Sequence, residues 1–136
     1  MALLERLKII DREVLHDNRG WFLKVINGKE ENLPNYTGEI YLTCAKKNQI
    51  KGGHYHEKAN EWFTLVLGTC NLHLYDLESN ETCIIPLDSV NPKSIYVPCR
   101  IAHTFVNTGK DDFLLLAYSD LLYDPSDTIM FDFPNL

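Results

Sequence analysis

The chain has 136 residues, of which 45% are hydrophobic and 24% are charged, and its formal net charge is −6 at pH 7. This length suits one domain with its own core, so we expect a single domain over residues 1–136. The acidic balance argues against binding to nucleic acid or to an anionic membrane surface, because both require a basic patch. An anionic small molecule stays open, since a few local cations suffice to bind one.

The hydrophobic pattern predicts short strands rather than helices along nearly the whole chain. In chain order, the predicted strands cover residues 7–10, 21–26, 39–45, a segment through His54 and His56, 61–67, 70–77, 82–87, 94–97, 103–107 and 112–119. Turn and loop residues are concentrated at 16–20, 27–38, 78–81, 88–93 and 108–111. Short strands at spacings of about 8–12 residues predict an all-β sandwich or barrel.

The cysteines and the termini bear on the compartment. The four cysteines, at positions 44, 70, 83 and 99, form no Cys-x-x-Cys pair and lie in strand-like runs. This pattern favours reduced thiols in a core over disulfides. The first residues lack the apolar run of a secretory signal, and no apolar segment reaches the length of about 18 residues that a membrane span needs. We therefore expect a cytoplasmic protein.

The densest group of chemically useful side chains comes from two distant segments. His54 and His56 are one residue apart, so on a strand they lie on the same face. Glu61 opens the next strand-like run, and His103 lies far downstream after Pro98. Three imidazoles and one carboxylate can bind Zn, Fe, Mn, Ni or Cu, and they can equally act as general acids and bases. We call these four the metal-motif residues: His54, His56, Glu61 and His103.

Their spacing, His-x-His-x4-Glu-x6-Gly followed by Pro-x4-His-x3-Asn, resembles the two motifs of the cupin family. The departures are Asn48 and Pro92, where the motifs usually begin with Gly, and Arg100, where Gly often follows Pro-x. The resemblance implies a single-domain cupin, that is, a jelly-roll β-barrel or sandwich in which the metal-motif residues converge. It also implies a divalent metal cofactor, with zinc first and iron, manganese or nickel as alternatives.

Segments at both ends of the chain and one in the first motif make the resemblance more specific, because they resemble particular groups of enzymes. Residues 17–22 resemble the Asp-x-Arg-Gly-x-Phe segment of dTDP-4-dehydrorhamnose 3,5-epimerases, and residues 51–55 resemble their Arg-Gly-x-His-Tyr segment with Lys51 in place of Arg. The tail at 119–125 resembles their Tyr-Tyr-x-Pro tail and also the Ser-Asp-Tyr-Tyr-Asp segment of dTDP-hexulose 3,4-ketoisomerases. His56 departs from the epimerases, which typically have Gln there, and agrees with the ketoisomerases.

A third similarity lies in the motif segments themselves. Residues 48–56, 60–61 and 103–109 resemble the C-terminal cupin domain of bifunctional UDP-sugar enzymes of capsule synthesis, which binds zinc and epimerises a keto-sugar. All three groups act on nucleotide-linked keto-sugars. The resemblance therefore implies an isomerase, namely a nucleotide-sugar epimerase or 3,4-ketoisomerase of polysaccharide or glycoconjugate biosynthesis.

Such an enzyme removes a proton beside a keto group and returns it to another face or atom, which requires groups that titrate near neutral pH. His54 matches the catalytic histidine of the epimerases and is the candidate base; His56 and His103 are further catalytic candidates. Tyr118 and Tyr123 are candidates for the opposing acid. A His54 bound to metal cannot also be a free base, so a bound water or a tyrosine would then take the proton.

Cations and aromatic residues supply candidates for binding the nucleotide diphosphate. Arg and Lys bind phosphate through charge-assisted hydrogen bonds, and the candidates are Arg19, Lys51 and Arg100. The candidates for stacking on a base are Trp21, Phe22 and Tyr41. If Glu61 points inward, Trp62 and Val66 point outward and need cover from a second sheet or a partner. Because the similar enzymes are dimers, we expect a C2 homodimer.

Two other classes of function stay open at this point. The first is a metal-dependent cupin of another class, such as a dioxygenase, for which the metal motif alone speaks. The second is a non-catalytic sugar- or metal-binding module. The similarity of residues 17–23 and 119–125 to the sugar isomerases does not speak for the first class, while a module that binds a larger reductase stays open within the second. Exchange of substrate protons with solvent would separate an isomerase from both.

Overall fold

The computed structural model describes residues 2–34, 38–134 and 136, and nearly all of its regular structure is β. Residues 35–37 of the predicted loop 27–38 lie outside the described residues. The elements are helix α1 (Leu3–Arg6), strands β1 (Lys8–Asp11), β2 (Val14–Asp17), β3 (Gly20–Leu23), β4 (Glu39–Ala45), β5 (Ile50–Tyr55), β6 (Glu61–Leu67), β7 (Thr69–Asp76), β8 (Thr82–Asp88), β9 (Lys93–Val97), β10 (Ile101–Asn107) and β11 (Phe113–Ser119), a 3-10 helix (Pro125–Asp127) and β12 (Ile129–Met130).

The strands form two five-stranded antiparallel sheets and a separate two-stranded hairpin. One sheet has the order β1-β9-β6-β11-β4 and the other has the order β12-β5-β10-β7-β8, while β2 pairs only with β3. This arrangement confirms the predicted all-β sandwich. Strand β5, which carries His54, lies in one sheet, and β6, which begins at Glu61, lies in the other. The two halves of the first motif therefore face each other across the interior.

Alternation along the strands builds the core between the sheets. Alternate residues of β7 and of β11 are buried, as expected when one face of each strand packs inward. The largest fully buried side chains include Phe63, Leu72 and Leu115. The ring of Phe63 lies 4.9 Å from that of Phe105 and 5.1 Å from that of His103. The histidine site therefore borders the aromatic part of the core.

The N-terminal third differs from the sequence prediction. Helix α1 was not predicted, and the predicted turn at 16–20 contains part of strand β2, which forms a hairpin with β3. In its two-residue turn, the Asp17 carboxylate accepts the backbone N–H of Arg19 at 2.8 Å. No signal in the sequence indicated strand β2, because the strand ends in the polar residues His16 and Asp17 and neither of its faces is fully buried.

The segment that follows β3 covers part of the outer face of the first sheet, over β9. Predicted strand 21–26 ends early, at Leu23, and the main chain then crosses this face, where Ser94 Oγ donates to the carbonyl of Val25 at 3.0 Å. Trp62, predicted to face outward, does lie on this face but is only 3% exposed, and its ring is 5.1 Å from that of Tyr96. The burial of Trp62 is thus complete within one chain.

Two further observations concern the compartment. All four cysteines are free thiols, as predicted, and Cys44 is exposed whereas Cys70 is buried. Burial raises the pKa of the Cys70 thiol to about 12, so this group stays protonated and acts as a small apolar core residue. Among the described residues, no helix has the length and apolar character needed to cross a membrane.

Candidate active site

Neighbouring strands bring the metal-motif residues together. Strand β10 pairs antiparallel with β5, and His103 lies opposite His54 in that pairing. The ring centroids of His54, His56 and His103 are separated by 5.0, 5.1 and 5.8 Å. One nitrogen from each ring lies within 4.8 Å of the others. Side chains from two distant parts of the sequence therefore meet in one place, as the resemblance to the cupin motifs implied.

Glycine permits the close approach of these two strands. Gly52 has a φ of +96°, and a Cβ at this position would lie 2.9 Å from the carbonyl oxygen of His103. Both the dihedral angle and the contact exclude an ordinary side chain. The register between β5 and β10 shifts between His103 and Thr104. This irregularity beside a functional residue is typical of a β-bulge that directs a side chain.

Glu61 joins the histidines from the opposite sheet. Its side chain is buried, and its Oε1 lies 2.8 Å from Nε2 of His56 and 3.6 Å from Nε2 of His103. Its other oxygen, Oε2, accepts a hydrogen bond of 2.8 Å from the hydroxyl of Tyr41. A buried carboxylate needs such partners, because an unpaired charge in the interior is costly. Glu61 is thus the centre of the cluster.

Backbone carbonyls determine which ring nitrogen carries the hydrogen in two of the three imidazoles. Nδ1 of His56 lies 2.8 Å from the carbonyl oxygen of Asp127, and Nδ1 of His103 lies 3.2 Å from that of Ile101. A carbonyl can only accept, so both Nδ1 atoms carry the hydrogen. When both rings are neutral, their Nε2 lone pairs point toward Oε1 of Glu61. Each of these nitrogens then faces the carboxylate oxygen as one acceptor facing another. A proton or a cation is needed between them.

The titration of the cluster follows from burial and charge. Burial alone would lower the pKa of His56, but the hydrogen bond and charge of Glu61 raise it above its ordinary value. Burial lowers the pKa of His54, and neighbouring His56 lowers it further. Burial also lowers the pKa of His103 to about 4. The protein without metal therefore favours a His56–Glu61 ion pair beside two neutral imidazoles.

The same geometry fits a metal ion. Oε1 of Glu61 is buried, and beside neutral imidazoles it faces the Nε2 lone pairs of His56 and His103, at 2.8 and 3.6 Å, instead of a hydrogen-bond donor. Ligands at about 2.0–2.2 Å from one ion lie roughly 3–3.5 Å from each other, which agrees with these separations. Three imidazoles and a carboxylate suit zinc, iron, manganese or nickel. The backbone carbonyls behind His56 and His103 are the outer partners that metal-binding histidines usually have.

A cavity of about 290 Å³ opens beside the cluster. Its lining includes three residues of the cluster, His54, His56 and Glu61, and five of the C-terminal segment, namely Leu122, Tyr123, Asp124, Asp127 and Thr128. Its lining contains no lysine or arginine among the described residues. A second cavity of about 210 Å³ shares His54 and Tyr41 and adds Lys51. His54 and Tyr41 therefore line both cavities, of which the larger is lined by several carboxylates and the smaller by the cationic side chain of Lys51.

The structure places the other predicted residues in different surroundings. Tyr123 lines the larger cavity and is 68% exposed, while Lys51 lines the smaller one. Arg19 lies at the tip of the β2–β3 hairpin and binds Asp17. Arg100, at a φ of 65°, donates to the carboxylate of Glu57 and lines neither of these two cavities. A phosphate-binding role for Arg100 would require the loss of this ion pair.

Tyr118 does not reach the cluster within one chain. Its neighbours Ala117 and Ser119 are buried on the inner face of β11. Because side chains alternate along a strand, Tyr118 lies on the outer face, where it is opposite Trp62 in the pairing of β11 with β6. The predicted role of Tyr118 as an acid in the same site is thus not supported by its position, whereas that of Tyr123 is compatible with its position.

Two residues of the site were not assigned by the sequence analysis. Tyr41 was a candidate for base stacking, but its hydroxyl binds Glu61, and burial together with the charge of Glu61 raises its pKa far above the ordinary value. The alternation of β4, in which Tyr41 and Ala45 share the inner face, could have indicated this. Asp127 gave no signal, because only the folded tail brings it to His56.

Comparisons with known proteins identify the fold and the family of this chain. The spore coat polysaccharide biosynthesis protein SpsL of Bacillus subtilis (strain 168) is 26% identical over 114 residues, covering 80% of this chain and 75% of that protein. Among solved structures, the dTDP-6-deoxy-D-glucose-3,5-epimerase RmlC from Legionella pneumophila in complex with dTDP-4-keto-L-rhamnose has a TM-score of 0.85 at 16% identity, covering 98% of this chain and 77% of that one.

The sugar 3,4-ketoisomerase QdtA from Thermoanaerobacterium thermosaccharolyticum in complex with TDP has a TM-score of 0.75 at 21% identity, covering 93% of this chain and 89% of that one. These likenesses confirm the fold that the cupin motifs implied. The family described as the polysaccharide biosynthesis C-terminal domain matches residues 15–131. The chain therefore belongs to the polysaccharide biosynthesis C-terminal domain family.

Proposed function

We propose that this protein is a nucleotide-sugar epimerase or 3,4-ketoisomerase of polysaccharide biosynthesis. The observation that carries the proposal is the position of His54. Its imidazole, kept neutral by burial and by the neighbouring His56, lines a cavity of about 290 Å³ next to the buried Glu61. A neutral imidazole at the wall of a pocket is the form that accepts a proton. The family and the fold of known sugar epimerases and ketoisomerases support the same reading.

The proposed reaction moves a proton without oxidant or reductant. In the protein without metal, His54 takes the proton from a carbon beside the keto group; the electron pair of that C–H bond forms a C=C bond to the carbonyl carbon, and the π pair of the C=O bond moves onto the oxygen to give an enolate. For epimerisation, a donor on the other side of the cavity returns a proton to the opposite face of the carbon. For ketoisomerisation, the enolate oxygen is protonated to give an enediol. A proton is then added to the former carbonyl carbon while the neighbouring hydroxyl loses its proton, so that its carbon becomes the new keto group. Tyr123, which lines the same cavity as His54, is the candidate donor.

We also propose a divalent metal, with zinc as the first choice, held by the metal-motif residues. When bound it would supply a Lewis acid that stabilises negative charge on the substrate oxygen. In that arrangement His54 serves as a ligand, and another residue of the cavity lining transfers the proton, for which Tyr123 is the candidate. Tyr41 holds Glu61 in place in both arrangements, because its raised pKa keeps the hydroxyl protonated.

Isotope exchange tests the proposed reaction. Candidate nucleotide 4-keto-sugars are incubated with the enzyme in heavy water, and deuterium at the carbons beside the keto group is measured by mass spectrometry and NMR. We expect exchange with the wild type and a loss of about 10²–10⁴-fold in rate in the variant that lacks the proton-transfer group. His54→Asn and Tyr123→Phe are compared with His73→Asn, a histidine outside both cavities. The absence of exchange with every substrate would refute the proposal.

Elemental analysis tests the metal. Protein expressed with zinc or iron supplied should carry about one ion per chain when four ligands converge in this way. Glu61→Gln, which keeps the shape but removes the charge, should lose the ion, whereas Glu39→Gln, on the wall of the same cavity, should keep it. A wild-type protein without metal under these conditions would contradict the assignment and would leave His54 as the free base.

A homodimer would explain how the site binds a diphosphate. The described lining of the larger cavity has no cation, and the β2–β3 hairpin, which stands apart from both sheets, carries Arg19 at its tip and exposes Trp21 and Phe22. The outer face of edge strand β4 exposes Ile40 and Leu42. We propose a C2 dimer in which the hairpin of one chain packs on the β4 face of its partner and brings Arg19 toward the partner's cavity.

A further inference from the structure

One carboxylate from the C-terminal segment binds three of the four backbone N–H groups in the loop between His56 and Glu61, and Asp120 binds the fourth, that of Asn60. The backbone N–H groups of Glu57 and Lys58 donate to Oδ1 of Asp127 at 2.9 and 3.0 Å, and that of Ala59 donates to Oδ2 at 3.1 Å. Three successive N–H groups that converge on one anion form a nest. Asp127 is 6% exposed, so these charge-assisted bonds lie away from water, where they are strongest.

The main chain of Asp127 acts on the histidine itself. Its carbonyl oxygen lies 2.8 Å from Nδ1 of His56. Since a carbonyl only accepts, this contact keeps the hydrogen on Nδ1 and directs the Nε2 lone pair to Glu61. One residue therefore binds the imidazole through its backbone and the loop that leads to Glu61 through its side chain.

The rest of the C-terminal segment is attached to the same strand. Strand β12 pairs with the end of β5, where Met130 lies opposite His54, and the N–H of Phe131 donates to the carbonyl of Gly53 at 2.9 Å. These contacts fix the position of the tail, and with it the carboxylate of Asp127, relative to the segment that carries His54 and His56. Residues of this tail also line the larger cavity. The tail that packs against β5 therefore also orients His56 of the site.

From these contacts we infer that Asp127 is a positioning residue for His56, which sets the tautomer of this imidazole and its direction toward Glu61. The inference deepens the proposed function and, as far as catalysis is concerned, rests on it. A purely structural role would predict something different: removal of the carboxylate would lower the stability of the fold but leave the proton of His56 on Nδ1.

The test compares Asp127→Ala and Asp127→Asn with the wild type and with Asp132→Asn, an exposed carboxylate of the same tail. The tautomers of His56 and His103 are measured by long-range ¹H–¹⁵N NMR in metal-free protein, on the alkaline side of the histidine titrations. Zinc affinity is measured by competition with a chelator. Neither measurement uses a substrate, so a failure of the proposed reaction and a failure of this inference are distinguishable.

We expect His56 to carry its proton on Nδ1 in the wild type and in Asp132→Asn, and to populate both tautomers in Asp127→Ala. His103, whose partner is Ile101 and not the tail, should stay unchanged in every variant. Asp127→Asn should lie between, because its amide oxygen still accepts two of the three N–H groups while its NH₂ faces Ala59. Zinc affinity should fall by about 10–100-fold in Asp127→Ala.

Three results would overturn the inference. The first is a wild-type His56 protonated on Nε2. The second is an Asp127→Ala protein in which the tautomer of His56 equals that of the wild type. The third is an equal change at His56 and His103, which would indicate general loosening. If Asp127→Ala does not fold, Asp127→Asn and the hydrogen exchange of the amides of Glu57, Lys58 and Ala59 decide the question, because these amides must be protected in the wild type.

Discussion

Tyr41 donates a 2.8 Å hydrogen bond to Oε2 of Glu61, the carboxylate oxygen that does not face His56. The two residues come from different strands of one sheet, β4 and β6, which are separated by β11. The Tyr41 hydroxyl thus binds one oxygen of the carboxylate, while the imidazoles of His56 and His103 lie near the other oxygen. This places Tyr41 in the same position relative to Glu61 as the backbone carbonyls have relative to His56 and His103.

Tyr41→Phe should weaken metal binding without unfolding the protein. Loss of a hydrogen bond to a buried carboxylate costs about 1.5–3 kcal/mol, and loss of an outer-shell partner costs about 10–100-fold in metal affinity. Zinc affinity and the free energy of unfolding in urea measure the two effects. Tyr75→Phe is the matched control, because the Tyr75 hydroxyl binds Asn80 at an exposed position. Equal zinc affinities of Tyr41→Phe and wild type would show that Glu61 does not need this partner.

The metal-free protein should lose stability in mild acid because of His103. Burial lowers the folded-state pKa of this imidazole to about 4, whereas the ordinary value is 6.5. Between these values the unfolded chain binds a proton that the folded protein does not, so the free energy of unfolding falls as the pH decreases from 6.5 to 4. The full effect is about 3 kcal/mol.

Urea unfolding at several pH values measures this dependence. The raised pKa of His56 acts in the opposite sense, because its contribution is present at low pH and is lost as the pH rises through its folded-state pKa. The difference between wild type and His103→Asn isolates the contribution of His103. Parallel curves for the two proteins would contradict the prediction.

Arg6→Ala should destabilise the fold far more than an ordinary surface substitution. Arg6 of helix α1 forms an ion pair with Asp76, whose side chain is completely buried and whose Oδ2 has no partner among the described residues. Removal of one partner from a buried pair costs about 3–5 kcal/mol, because the other charge is left uncompensated. We expect Arg6→Ala/Asp76→Asn to be more stable than Arg6→Ala alone in thermal and urea unfolding. An additive double mutant would show that the two residues do not interact.

The hairpin residues should control the oligomeric state. Trp21→Ser/Phe22→Ser removes two large apolar side chains that are more than half exposed, so the variant should sediment as a monomer under conditions where the wild type is a dimer. Arg19→Ala should leave the dimer intact and raise KM for the nucleotide-sugar, because only the cation is lost. Sedimentation velocity and steady-state kinetics check the two expectations. A wild-type protein that sediments as a monomer at high concentration would refute the proposed dimer.

The sequence by itself determined the strand pattern and the residue types of the site. The apolar, β-branched and aromatic runs at 61–67 and 112–119 predicted strands, and alternation placed His54 and His56 on one face of a strand, while the resemblance to the cupin motifs implied that Glu61 and His103 meet them. Such patterns are local: alternation requires only neighbouring positions on one strand, and the motif spacing is readable without knowledge of the rest of the chain.

The tertiary structure alone decided which partners orient those residues. The face on which Tyr118 lies depends on the register of β11 against β6, and the contact of Asp127 with His56 joins residues 71 positions apart. The hairpin strand β2 was hidden because it has no buried face to impose a pattern. A sequence records which side chains a strand presents, but the packing of distant segments decides what each side chain touches, and with it the protonation of the site.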